Sequence, residues 1–137
     1  MIGGETCTLE VTPTSRKLIY SNGVSRSEVG ILDGRRHGAE VGKFKSGKLC
    51  ATGEWVHGER QGTWAYYNDL GNPVSKGPYL DGLRDGEWIE YYPEGGVEGM
   101  GTYRRQVKTG HWTYFFPSGA VDRARTGTYL DGDRISD

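Results

Sequence analysis

The chain has 137 residues, a formal net charge of −1 and only 34% hydrophobic residues, against 12% aromatics and 23 glycines. That charge supplies no basic face for nucleic acid, and no apolar run reaches the length of a membrane span or a secretory signal. Cys7 and Cys50 are too few for a disulfide framework, so the composition reads as a cytoplasmic protein with reduced thiols.

Residues 1–33 hold KLIYSNGVSRSEVGILD, a worn half-copy of the downstream units, with Gly23 in phase with Gly47. Residues 34–131 then hold four units of about 24 residues. The first, from Gly34, is divergent and carries Glu40 where the others carry Trp. Units from Gly58 and Gly82 are regular, and the one from Gln106 has two extra residues. Residues 132–137 start a sixth unit. The beat is carried by Trp64, Trp88 and Trp112, by Gly38, Gly62, Gly86 and Gly110, and by Gly47, Gly71, Gly95 and Gly119. A period of this length marks a stack of supersecondary units, and worn end copies read as caps.

Each unit predicts two short strands. The segment from Gly86 to Tyr92 suits a pleated surface, Pro93-Glu94-Gly95-Gly96 breaks it, and a second strand ends at Tyr103. Asp81-Gly82 and Asp131-Gly132 are hairpin signals. With no helical periodicity anywhere, the expected fold is all-β: successive hairpins in a meander. Pairing Tyr79 with Trp88 across a four-residue loop puts Trp55, Trp64, Tyr79, Trp88, Tyr103, Trp112 and Tyr129 on one face. Such a ladder first of all holds the sheet together. A one-residue slip would undo that register.

The pattern G-x-x-x-G-x-W-x-x-Y, a Gly-containing turn, then G-x-Y, resembles the MORN repeat, and most of all the bacterial variant of YwqK-type antitoxin proteins. It is carried by Gly58, Gly62, Trp64, Tyr67, Gly71, Gly77 and Tyr79, again by Gly82, Gly86, Trp88, Tyr91, Gly95, Gly101 and Tyr103, and by Gly110, Trp112, Phe115, Gly119, Gly127 and Tyr129. The resemblance implies a single-layer, elongated, twisted antiparallel array of tandem β-hairpins that contacts proteins and sometimes phospholipid. The bacterial variants imply an immunity protein or antitoxin. Gln106 departs from the pattern at a turn glycine and predicts an altered loop over 105–108. Glu40 predicts a gap in the aromatic layer.

Three constellations bear on function. Arg36, Arg60, Arg84, Lys108 and Arg134 recur two residues after each unit start, which places them in the hairpin loops as a solvated rim or an anion rail. Asp85, Glu87, Glu90, Glu94 and Glu98 concentrate in one unit, either as a solvated face or as a patch complementary to a basic cleft. By alternation Tyr66, Glu90, Tyr92, Tyr114 and Phe116 share the Trp face, with Asp85, Glu87 and Glu94 at its margin, and this is the predicted partner surface. His37, His57 and His111 have no ligand-spaced neighbours, so no metal, cofactor or catalytic site is expected. The expected function is non-enzymatic protein binding, specifically occlusion of a cognate toxin. A phospholipid-binding scaffold and a regulatory repeat array of a larger protein are the alternatives. The open end strands can also template a dimer.

Overall fold

The computed structural model describes residues 7–137; the first six residues of the predicted N-terminal half-copy lie outside them. Every regular element among the described residues is a strand. In chain order they are β1 (Cys7–Thr12), β2 (Ser15–Tyr20), β3 (Ser25–Leu32), β4 (Arg35–Lys43), β5 (Leu49–Val56), β6 (Glu59–Tyr67) and β7 (Pro73–Leu80). Then come β8 (Leu83–Arg84), β9 (Gly86–Tyr91), β10 (Val97–Arg104), β11 (Val107–Tyr114), β12 (Gly127–Leu130) and β13 (Asp133–Ser136). They form one open antiparallel sheet in sequential order, with β8 pairing off the path against β7. The expected single-layer hairpin meander is the observed fold.

Two kinds of turn alternate along the two edges. On one edge sit two-residue loops: Asp33-Gly34, His57-Gly58, Asp81-Gly82, Arg105-Gln106 and Asp131-Gly132, all with positive φ. This is the geometry that matches the twist of the strands it joins. Each of the last four loops also docks on its predecessor, since Gly58, Gly82, Gln106 and Gly132 donate their amides to the carbonyls of Arg36, Arg60, Arg84 and Lys108. On the other edge, five-residue turns are closed by Tyr20, Phe44, Asn68, Tyr92 and Phe116, whose amides reach the carbonyls of Val24, Lys48, Asn72, Gly96 and Ala120.

Two sequence expectations are corrected here. The loop after Tyr79 has two residues, not four, so Tyr79 pairs with Arg84 and not with Trp88. Loop 105–108 is not altered. Gln106 adopts φ 76° in glycine's place, and its Oε1 accepts the Arg84 amide at 2.8 Å, which offsets the conformational cost.

The core is a run of rings on one face. Trp64, Trp88 and Trp112 are fully buried. Upper-bound burial energies of about 4–6 kcal/mol each let them stand in for a conventional core. The first cluster is Val29, Trp55 and Trp64, and the second is Trp88, Tyr103, Trp112 and Tyr114, with Tyr66 and Tyr79 packing against both. The rings meet edge to face: Trp55–Trp64 at 5.6 Å, Trp64–Tyr79 at 6.2 Å, Tyr79–Trp88 at 5.2 Å, Trp88–Tyr103 at 6.1 Å and Tyr103–Trp112 at 5.1 Å. Tyr129 joins through Tyr114, at 6.2 Å. The indole N–H groups of Trp64, Trp88 and Trp112 each find a carbonyl one strand back, on Glu54, Pro78 and Thr102 respectively.

Candidate functional site

The cation column is not in the loops. Because each two-residue loop sets the cation opposite the preceding ring (Trp55 with Arg60, Tyr79 with Arg84, Tyr103 with Lys108, Tyr129 with Arg134), these residues belong to strands. Four of them fold over the ladder. Arg36 lies 4.9 Å from the Trp55 ring, and Arg60 lies 4.9 Å from Trp55, 5.2 Å from Trp64 and 5.7 Å from Tyr79. Arg84 covers Trp88 and Tyr103, and Lys108 covers Trp112, Tyr114 and Tyr129. The positive charge stacks on the ring quadrupoles and shields the ladder with its own aliphatic stems. Arg134 instead pairs with Asp137 and donates from Nε to the Thr126 carbonyl. A solvated rim is therefore replaced by a cationic cover on the aromatic face.

The acidic group does not form one patch. Asp85, between β8 and β9, accepts the Arg105 amide at 3.0 Å on the hairpin edge. Glu87 lies across the sheet, in a cleft with Ile89 and Met100. Glu94 is exposed in the turn closed by Tyr92. Only Glu90 and Glu98 reach the cleft on the ladder face, alongside Ser75, Lys108, Tyr114, Arg125 and Tyr129. Residues from five strands, β7 and β9 to β12, line that one cleft, so the ladder face is concave there.

The aromatic members of the predicted partner surface are also rearranged. Tyr66 stacks on Trp64 at 6.0 Å, and its hydroxyl meets that of Tyr79 at 3.1 Å. Tyr114 stacks on Trp112 and is buried, with Lys108 bonded to its hydroxyl, so it is a core residue and not an exposed contact. Tyr92 donates to the Phe115 carbonyl at 2.6 Å, and Phe116 is exposed at the following turn. Burial raises the phenol pKa of Tyr66, Tyr103 and Tyr114. The Tyr79 bond adds to the rise at Tyr66, and the charge of Glu90 adds to it at the other two. All three remain protonated donors at neutral pH.

Sequence reasoning missed the pair Asp122 and Arg125. The two extra residues of the last unit fall in the turn over 122–126, which replaces the first half of a strand and leaves β12 short. Arg125 reaches from its own turn to β10 and to the residues that follow β9 and β11. It donates to Asp122 at 2.8 Å, Glu98 at 3.0 Å, the Tyr92 hydroxyl at 3.0 Å and the Phe115 carbonyl at 3.3 Å. Its guanidinium also covers the Tyr114 ring at 4.8 Å. The Arg125 bond, helped by the amides of Ala124 and Arg125, lowers the carboxyl pKa of the buried Asp122. The broken 24-residue period was the available signal. Glu40 fills its own gap, accepting the Trp55 indole N–H at 2.5 Å.

Comparison with known proteins agrees with this geometry. Residues 84–105 match the family described as MORN repeat variant, which places β8 to β10 in that repeat and suggests a repeat-based binding module. No curated protein matches the chain significantly. Among solved structures, a GtfA/B complex bound to UDP and GlcNAc matches with 10% identity and a TM-score of 0.35, over 89% of this chain and 24% of that one. The chain thus spans about a quarter of that protein's length, and at this TM-score the match carries no argument. Among the described residues no helix is long and apolar enough to cross a membrane, and no three metal-ligating side chains cluster.

Proposed function

We propose that the chain is a non-enzymatic binding module that captures a protein partner on its concave ladder face, and that this partner is a toxin neutralised by occlusion. The observation that carries the reading is the cleft of about 520 Å³ to which five strands contribute. Its wall is set by backbone pairing and ring packing, so the surface is preformed and loses little conformational freedom on binding. Tyr129, half-buried in that wall, presents aromatic area with few rotors to freeze. Arg125 has its donors engaged by the protein itself and serves to hold the wall.

Co-purification with the products of the neighbouring reading frames tests the reading. Ser75→Arg puts a charged side chain into the cleft, between Tyr66 and Glu90, to which Ser75 is paired. Thr63→Arg changes a position that alternates away from Trp64 and serves as control. We expect a toxic neighbour to be retained and neutralised by the wild type and by Thr63→Arg, and to escape Ser75→Arg. Retention by Ser75→Arg with loss by Thr63→Arg would move the site to the other face. The absence of any toxic neighbour that binds would remove the immunity reading.

A further inference from the structure

We propose that Glu90 and Ser75, opposed across β9 and β7 in the ladder-face cleft, form a site for the guanidinium of an arginine carried by the partner protein. The source of that cation rests on the protein-capture reading above; the site itself rests on which polar groups of the cleft the protein leaves unmet.

The donors of the cleft are engaged by the protein. Lys108 lies over the rings of Trp112, Tyr114 and Tyr129 and bonds the Tyr114 hydroxyl. Arg125 is held by Asp122, Glu98, the Tyr92 hydroxyl and the Phe115 carbonyl. The Tyr129 hydroxyl donates to the Arg125 carbonyl at 2.6 Å. The acceptors are in the opposite state. Glu90 has no ion pair among the described residues, and its one hydrogen bond there is a long one, from the Tyr103 hydroxyl to Oε2 at 3.4 Å. Ser75 Oγ has no hydrogen bond among the described residues, and Glu98 uses only Oε2, on Arg125. Arg125 already answers two carboxylates, Asp122 and Glu98, so Glu90 is the carboxylate of the cleft that no cation meets.

Sheet register brings these acceptors together. Ser75 is the direct cross-strand partner of Glu90, and such partners stand about 4.5–5.5 Å apart at their β-carbons, within reach of one planar group. Glu98 comes from the next strand, one residue before Gly99, which pairs with Glu90 on its other side. All three line the same cleft and are half-buried, open enough to be met and screened less than a surface charge. A site with unmet acceptors and engaged donors takes a donor-only group. Arginine fits it better than lysine. Its planar fork reaches a carboxylate oxygen and a hydroxyl together, and it loses less hydration on entering the cleft than a compact ammonium does.

The test uses the full chain and three probes: acetyl-Gly-Arg-Gly-amide, the same peptide with lysine in place of arginine, and spermidine. The readout is the backbone amide resonance of Ser75 in nitrogen-correlated spectra. We expect the arginine peptide to shift that resonance saturably, and to bind more tightly than either other probe. Glu90→Gln keeps the shape of the side chain and an acceptor for Tyr103, and should weaken the arginine peptide about tenfold, as the loss of one charge-assisted bond does. Glu54→Gln makes the same change of charge at an exposed position that alternates away from Trp55 to the opposite face, and should leave binding unchanged. Equal weakening by the two variants would reduce the effect to net charge and overturn the site. An arginine peptide that leaves the Ser75 resonance unmoved overturns it too, whatever the neighbouring gene product does. Preference for the lysine peptide or for spermidine overturns the guanidinium assignment. If the arginine peptide binds as expected while no neighbouring protein is captured, the site stands and the immunity reading fails alone.

Discussion

The ring of Trp88 lies directly on the α-carbon of Gly77: a β-carbon there would stand 2.3 Å from Trp88 Cδ2. The same contact recurs between Trp64 and Gly53 and between Trp112 and Gly101. It sets the register of every second strand pair, because only glycine leaves room for the indole. Gly77→Ala must therefore displace the ring or the strand, and we expect a loss of about 1–3 kcal/mol or more, read as a fall in melting temperature. Gly96, whose β-carbon would meet nothing within 4 Å, is the control. Gly96→Ala should stay within about 0.5 kcal/mol of wild type. Equal effects at the two sites would refute the contact as a register device.

Truncating the ring itself has a larger cost. Trp88 is fully buried and touches Tyr79 and Tyr103 edge to face. Trp88→Ala is expected to lose about 3–5 kcal/mol in denaturant titration. An unchanged midpoint would mean that the ladder is surface and not core.

Glu40 stands where the repeat favours Trp, and its carboxylate accepts the N–H of the buried Trp55. Glu40→Ala leaves that donor unmet and should cost about 1–3 kcal/mol. Glu40→Gln retains an acceptor and should cost less than half as much. Chemical denaturation of both variants checks the order, and reversal of that order would show that the carboxylate does not serve Trp55.

The carboxyl of Asp122 has its pKa lowered by the hydrogen bond from Arg125. A depressed folded value means stability that is present above the unfolded pKa of about 3.9 and lost as pH falls through the folded one. Asp122→Asn should thus be destabilised relative to wild type by a constant margin from about pH 7 to pH 5, and the margin should shrink below about pH 4. Melting curves of the pair across that range decide it. A margin that persists at low pH would assign the effect to shape and not to charge.

Much of the fold was legible because its constraints are local and repeat. Gly82 supplies positive φ in a two-residue loop, and Gly77 supplies space for a ring, so the unit cannot lose them without losing its geometry. The placement of the cations was not legible. Whether Arg60 extends into solvent or folds back over Trp55 and Trp64 depends on a cross-strand partner, and the two-residue loop decides that partner. The acidic cluster divides along the alternation of its strand, which sequence does show: Glu87 and Glu90 lie on opposite faces. The Arg125 network could not be read at all, since an insertion has no register until its turn is known.

Gln106 shows how two opposing terms settle a local question. A non-glycine residue at φ 76° carries roughly 1–2 kcal/mol of conformational cost. Its side chain recovers part of this by accepting the Arg84 amide at 2.8 Å, worth about 0.5–1.5 kcal/mol when neutral and exposed. Gln106→Gly removes both terms, so the net change should lie within about 0.5–1 kcal/mol of zero, on the stabilising side. Gln106→Ala keeps the cost and loses the bond, and should fall below wild type by about 1 kcal/mol. The separation between the Gly and Ala variants is the informative quantity, and urea titration of the three proteins measures it. If Gly and Ala coincide, loop 105–106 does not hold the left-handed turn in solution and the docking of its amide on the Arg84 carbonyl falls with it.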